Sequence, residues 1–351
     1  MNMEQYTNEA VELLKRLIST PSVSRDEGAA ATLLEEYITQ CGLPCQRIGN
    51  NLLVQEALDP AKPTLLLNAH IDTVKPVSTW TRDPFVPTLE GDRLYGLGSN
   101  DCGGGLVSLL QTYRVLRGTP TPYNLVYLAS CEEEVSGQNG FSLALPHLPK
   151  IDVAIVGEPT GLQPAIAEKG LMVIDGTAHG KSGHAARNEG INAIYEALDD
   201  LLWLRDYEFR RESPLLGRTQ MTVTMIDSGT QHNVIPDTCH FVIDVRTNEY
   251  YQNEFLFSFL QKHVRSELKA RSFRLESSHI PVEHPLVQRC LAMGMHPFGS
   301  PTLSDQALMP FPSLKLGPGE SSRSHSADEF ICVNEIEKAI DTYVRLIANS
   351  Q

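Results

Sequence analysis

Apolar residues recur along this chain in two alternating rhythms. Residues 8–19 carry Val11, Leu14, Leu17 and Ile18 at helical spacing, and Pro21 ends the run. Ser24 followed by Glu27 reads as a capping box opening a second helix through Tyr37 and Ile38. Between such segments lie short, largely apolar runs at 65–69, 125–129 and 153–156, each read as a buried strand. A helix opened by glycines follows from Gly103 to Leu116. Alternating strands and helices predict an α/β fold, a mostly parallel sheet flanked by helices.

The rhythm changes near Glu168. Residues 171–178 read as a strand, 191–205 as a helix, 221–225 and 239–245 as strands joined by a tight link at 233–237, and 253–268 as a helix. Strand, helix, strand, strand, helix, strand is the split βαβ order of a small ferredoxin-like α+β sandwich. After residue 278 the α/β pattern resumes, with a strand at 313–316 and a helix at 333–347. The expected organisation is a discontinuous domain, 1–166 and 279–351, with a second domain, 167–278, inserted into it. Two domains suit a chain of 351 residues.

Composition narrows the partners. The formal net charge of −14 argues against a nucleic-acid or anionic-membrane partner. It leaves small-molecule chemistry open, because a metal site is locally positive inside an acidic protein. The seven cysteines are scattered and include no Cys-x-x-Cys pair, so a thiolate zinc site is not expected. They read as reduced, mostly buried thiols of a cytoplasmic protein. Residues 1–6 lack the basic start and apolar core of a signal peptide. No apolar run approaches ~20 residues, so no membrane span is expected.

The candidate chemistry lies at strand ends. The run at 65–69 leads into His70-Ile71-Asp72, and side chains at i and i+2 share a face. Asp72 is therefore expected to reach the His70 ring and fix its tautomer. Asp101 follows at a glycine-rich turn, Glu132, Glu133 and Glu134 follow the second apolar run, and Glu158 follows the third. A parallel sheet gathers such ends into one crevice, which suggests a carboxylate-rich metal site. Each motif is weak alone: Asp101 could cap a helix, and three glutamates can be a solvated charge run. His147, His263 and His296 read as structural or surface residues.

In combination the motifs are specific. His70-x-Asp72, Gly98-x-x-Asp101, Glu133-Glu134, Gly157-Glu158-Pro159-Thr160, Gly183-His184, Asn233, Arg246 and His325-x-x-Asp328-Glu329 occur in this order. In this the chain resembles, over nearly its whole length, the M20 family of di-zinc amidohydrolases and peptidases. The resemblance implies a zinc-peptidase-like fold whose inserted domain serves as a lid and dimerisation module, with hinges near Glu168 and Ser278. It implies two Zn²⁺ ions, with Co²⁺ or Mn²⁺ as possible replacements. His70 and Glu158 would hold one ion, Glu134 and His325 the other, and Asp101 would bridge them. Glu133 would be the general base and Asp72 would orient His70. His184 would cross to a partner subunit's site and stabilise the oxyanion. Asn233 and Arg246 would hold the substrate α-carboxylate, while Gly319 and Arg323 would line the pocket near His325.

Two features depart from the family pattern. The usual Asp-Glu-Glu is here Glu132-Glu133-Glu134, and a shift by one would make Glu132 the base. Cys102 and Gly103 stand where a Met and a Lys often follow the bridging Asp. Cys102 is not expected to be a ligand. The chain looks most like deacetylases of the acetylornithine type. The implied reaction is hydrolysis of N-acetyl- or N-succinyl-L-ornithine to L-ornithine plus a carboxylate, in arginine biosynthesis. Arg323 and Lys181 would be the candidate contacts for a succinyl group. The alternatives are succinyl-diaminopimelate desuccinylation and a dipeptidase or aminopeptidase activity.

Overall fold

The computed structural model describes residues 3–187 and 189–348. Contacts divide the chain into two compact units. The first runs to Ile166 and resumes with Ile280–Phe298 and from Ser304 onward. The second is Ala167–His279 together with Gly299–Leu303, a short return that nothing in the sequence pattern announces.

The first unit is built on a sheet in the order Cys45–Ile48, Asn51–Gln55, Asn124–Ser130, Thr64–His70, Val153–Val156, Ser313–Lys315, Ala165–Glu168. Its centre is parallel: Thr64–His70 pairs in parallel with both neighbours, and Ser313–Lys315 with Val153–Val156. The flanking pairs are antiparallel, so the sheet is mixed rather than mostly parallel throughout. Successive side chains of the central strand leave by opposite faces. Leu65 and Leu67 share a core with Leu14, Leu34, Leu110, Val287 and Ile340 of five helices. Leu66 joins Leu53, Val126, Leu128 and Phe141 on the other face. Both faces are covered, which is why these strands read as largely apolar runs.

This architecture aims the strand ends at one edge. The helix Gly104–Leu116 passes so close to the end of Val153–Val156 that a Cβ on Gly105 would fall 1.7 Å from the Gly157 carbonyl oxygen. That approach requires glycine and brings the Asp101 turn beside Glu158. The expected capping box at Ser24 does not form: Glu27 is the N-cap of Gly28–Gln40 but makes no side-chain cap bond.

The second unit is a four-stranded antiparallel sheet in the order Gln220–Ser228, Thr238–Thr247, Gly170–His179, Glu267–Ala270. The helices Ala193–Asp206 and Asn253–Gln261 complete the split βαβ order. Met172, Ile174, Phe241, Ile243 and Val245 pack against Leu204, Leu256 and Leu260 of the two helices. The expected helix at 253–268 stops at Gln261, and Glu267–Ala270 turns back as an edge strand with Leu268 buried between exposed Glu267 and Lys269. The expected tight link at 233–237 contains a strand instead, Val234–Ile235, paired with Gly183–His184.

One surface of this unit is unusually apolar. On Ala193–Asp206, Tyr195, Leu198 and Leu202 are exposed at helical spacing. Met225 and Ile226 are exposed on the edge strand Gln220–Ser228, beyond a register shift at Thr224.

Candidate metal centre

Asp101 stands between two imidazoles. Its Oδ1 lies 3.3 Å from His70 Nε2 and its Oδ2 3.6 Å from His325 Nε2. Glu158 Oε1 lies 3.7 Å from the same nitrogen of His70, and Glu134 Oε2 lies 2.9 Å from His325 Nε2. Five side chains, from three strand ends, one turn and one loop, thus form two N/O groups sharing one carboxylate. Ligand atoms about 2.0–2.2 Å from a tetrahedral zinc lie roughly 3.3–3.6 Å apart, close to most of these separations. Glu158 Oε1 is buried and has no hydrogen-bond partner, an orphan that a cation would satisfy. The donor set therefore fits two zinc-like ions.

The two halves differ in setting. The His70 side chain is 1% exposed, at the end of the central strand, whereas that of His325 is 55% exposed and lies on a loop. His70 Nδ1 donates to the carbonyl of Asp72 at 2.8 Å, which turns Nε2 toward Asp101 and Glu158. The Asp72 carboxylate lies 3.6 Å from His70 Nδ1, as expected, and does further work. Its Oδ1 accepts from the Glu133 N–H (3.0 Å), and its Oδ2 from the Glu134 N–H (3.1 Å) and the Ser24 hydroxyl (2.7 Å). Asp72 thus ties the His70 strand to the Glu133–Glu134 turn, and Ser24 serves this tether rather than a helix cap.

The glutamate run sorts itself by backbone geometry. Glu132 has φ +54°, and its carboxylate turns away to accept from the Asn139 side chain (2.8 Å) and backbone (3.2 Å). Its own N–H donates to buried Glu27 at 3.2 Å. With Glu132 so engaged, Glu134 faces His325. Burial, followed by the charge of Glu158, Asp305 and Glu134, holds the Glu133 carboxyl well above the usual range despite the opposing pull of His70.

Cys102 also comes close, its sulfur within 4.8 Å of donor atoms of His70 and Glu158. The sulfur accepts from the His70 N–H at 3.2 Å and the thiol reaches the His70 carbonyl at 3.6 Å. Burial drives this thiol above its ordinary value. It is a neutral strand contact.

The loop before His325 is fixed by Asn100, whose side chain donates to the Glu320 carbonyl (3.0 Å) and accepts from the Glu320 N–H (3.0 Å). Gly319 has φ +80°, and a Cβ there would meet Asn100 Oδ1 at 2.2 Å. Arg323 spends both fork nitrogens on Glu335 (2.8 and 3.1 Å) and lies over the Phe330 ring, so its guanidinium is engaged in the protein. In the second unit, His184 and Asn233 are neighbours on a two-stranded ribbon, where the Ala185 N–H donates to the Asn233 carbonyl at 3.1 Å. Arg246 pairs with Asp244 of its own strand (2.8 and 3.1 Å). Ser24, Glu27 and Asn100 support the centre without having been singled out as site residues, because their partners lie far away in sequence.

The chain is similar over nearly its whole length to known proteins. The family model described as peptidase family M20/M25/M40 matches residues 66–349. An acetylornithine deacetylase of Proteus mirabilis is 30% identical, covering 97% of this chain and 96% of the relative. One from Pectobacterium atrosepticum is 31% identical, covering 92% of each. Among solved structures, the aminopeptidase PepT of Bacillus cereus superposes with TM-score 0.77 at 17% identity, covering 99% and 98% of the two chains. A dinuclear metal-binding M20 peptidase of Bacillus subtilis gives 0.75 at 15% identity, covering 98% of each.

The acidic crowding has a measurable consequence. Burial, reinforced by Asp101, raises Glu158 to about 8, and the Glu134 contact raises His325 to about 9. Burial disfavours charge on His70, yet Cys102, Asp101 and Asp72 together raise it well above its ordinary value. Glu158 and His325 therefore hold protons at pH 7, and an incoming cation must displace them. Zinc titration of the metal-free protein by calorimetry, in buffers of different ionisation enthalpy, is expected to show proton release and an affinity that climbs through pH 7–9. Proton-neutral, pH-independent binding would contradict this.

Proposed function

The chain belongs to peptidase family M20/M25/M40, and from that premise we propose that it is a metal-dependent deacylase of N-acetyl- or N-succinyl-L-ornithine. The products would be L-ornithine and a short carboxylate, a step of arginine biosynthesis. The observation that carries the reading is Asp101, each of whose oxygens faces a different imidazole. His70 and Glu158 would hold one Zn²⁺, Glu134 and His325 the second, with Asp101 shared. Two bound cations would lower the pKa of a water between them and polarise the scissile carbonyl.

The chain's own groups carry the protons and the substrate. Glu133 takes the proton of the attacking water and delivers it to the leaving amine. Its raised proton affinity suits a group that must hold the proton between the two steps. His184 is assigned to the oxyanion of the tetrahedral intermediate. Asn233 and Arg246 are assigned to the substrate α-carboxylate, for which Arg246 would exchange its Asp244 partner. Gly319 lines the pocket, and Arg323 braces the loop carrying His325.

The deacetylase names of full-length relatives at about 30% identity support ornithine as the amine product. The peptidases among the structural neighbours keep a dipeptidase or aminopeptidase as the second reading. Seven free thiols suit a cytoplasmic enzyme. Among the described residues no helix is long and apolar enough to cross a membrane.

We also assign the second unit the part of a lid and homodimerisation module. The open edge of Gln220–Ser228 can pair with its own copy across a two-fold axis. The stripe of Tyr195, Leu198 and Leu202 would then be covered by its counterpart.

Three outcomes are expected. Amine release from N-acetyl-ornithine, N-succinyl-ornithine, N-succinyl-diaminopimelate and a free dipeptide should favour one ornithine derivative by ~100-fold in kcat/KM, about 2.7 kcal/mol. Preference for the dipeptide would move the assignment to a peptidase. Glu133→Gln should lower kcat by roughly 10²–10⁴-fold while the protein keeps its zinc; undiminished turnover would remove Glu133 as base. In sedimentation, the native chain should run as a dimer and the Leu198→Asp, Met225→Asp double variant as a folded monomer. A monomeric native chain at micromolar concentration would defeat the dimer.

A further inference from the structure

Glu329 is 2% exposed, four residues beyond His325, at the head of the strand Phe330–Cys332. Its carboxylate reaches back more than two hundred residues. Oε1 accepts from the backbone N–H groups of Asn100 (2.8 Å) and Asp101 (2.9 Å), and Oε2 from that of Gly98 (3.1 Å). Its main-chain carbonyl accepts from the Gly96 N–H at 3.0 Å. One residue therefore takes up most of the backbone donors of the turn that presents Asp101.

That arrangement has a cost that packing alone does not explain. A buried carboxylate is tolerated only when it is fully hydrogen-bonded, and these bonds come from neutral amides. The gain lies in geometry, because charge-assisted bonds to consecutive amides are short and directional. They fix the plane of the Gly98–Asp101 turn and hence the direction in which the Asp101 side chain leaves it. The same chain segment carries His325, so the loop and the turn cannot shift independently.

We propose that Glu329 is a positioning residue for the metal centre, fixing the turn that aims both Asp101 oxygens at their imidazoles. This rests on the reading of Asp101 as the shared metal ligand. With its carboxylate taken up by the backbone N–H groups of Gly98, Asn100 and Asp101, Glu329 acts through the backbone of Asp101. A glutamine at 329 keeps the shape but turns an amide NH₂ toward backbone N–H donors, so one side of the cradle is lost.

The test compares Glu329→Gln with the native chain and with Asp101→Asn. Zinc dissociation constants come from competition with a chelating indicator, and the visible spectrum is taken on cobalt-loaded protein. Glu329→Gln should bind zinc 10- to 100-fold more weakly. It should show an altered cobalt spectrum and lose at least ~10-fold in kcat with KM within about threefold. Its far-ultraviolet circular dichroism should be native. Native zinc affinity, cobalt spectrum and kcat in a variant that has only lost thermal stability would overturn the proposal and leave Glu329 a purely structural residue. Native zinc binding by Asp101→Asn would instead overturn the reading of Asp101 and the proposal with it. The isosteric Gln variant keeps the test decisive even if Glu329→Ala does not fold.

Discussion

Everything at this centre hangs on Asp72. Its backbone carbonyl orients the His70 ring, and its carboxylate receives the amides of Glu133 and Glu134 and the hydroxyl of Ser24. Burial acts to raise this carboxyl, yet the His70 ring and the converging hydrogen bonds hold it below the usual range. The residue is therefore an anion in the interior, held by donors from two other segments, around Ser24 and at Glu133–Glu134. The central strand fixes where Asp72 sits, and Asp72 then fixes where the His70 ring, Glu133 and Glu134 sit. Sheet packing is converted into site geometry through one side chain.

The centre is also a place where the fold accepts local cost. Glu132, Ser136, His325 and Asp328 all have positive φ without being glycine. Each such residue costs on the order of 1–2 kcal/mol. Their bonds locate the compensation: Glu132 is clamped by Asn139 and Glu27, and Asp328 accepts from Thr81 and Arg82. The carboxylates of Asp101, Glu133 and Glu158 crowd one buried space, and their mutual repulsion is what cations would relieve. A site with this acidity is poised for ions and poor without them.

Much of this was legible in the chain, for physical reasons that also mark where legibility ends. His70, Asp101, Glu134, Glu158 and His325 stand out because acidic and imidazole groups at the ends of apolar runs are rare and costly. The α/β fold was readable because doubly covered strands must be apolar throughout. The antiparallel edges were not, since Cys45–Ile48 and Asn51–Gln55 are short and half-polar. The end of the helix at Gln261 was missed because Val264 and Leu268 continue an apolar spacing that tertiary pairing of Glu267–Ala270 overrides. The part of Glu27 was hidden because its partners Asn50 and Glu132 are distant in sequence. Ser24 followed by Glu27 looks like a capping box, yet both side chains serve Asp72 and the glutamate turn instead.

The central claim is that one carboxylate, Asp101, is shared by two ions. The most direct measurement is diffraction across the zinc absorption edge from crystals of the zinc-loaded protein. The account predicts two anomalous peaks flanking Asp101, about 3.5–4 Å apart, one beside His70 and Glu158 and the other beside Glu134 and His325. A single peak, or one whose ligands are His70, Cys102 and Glu158, would contradict it.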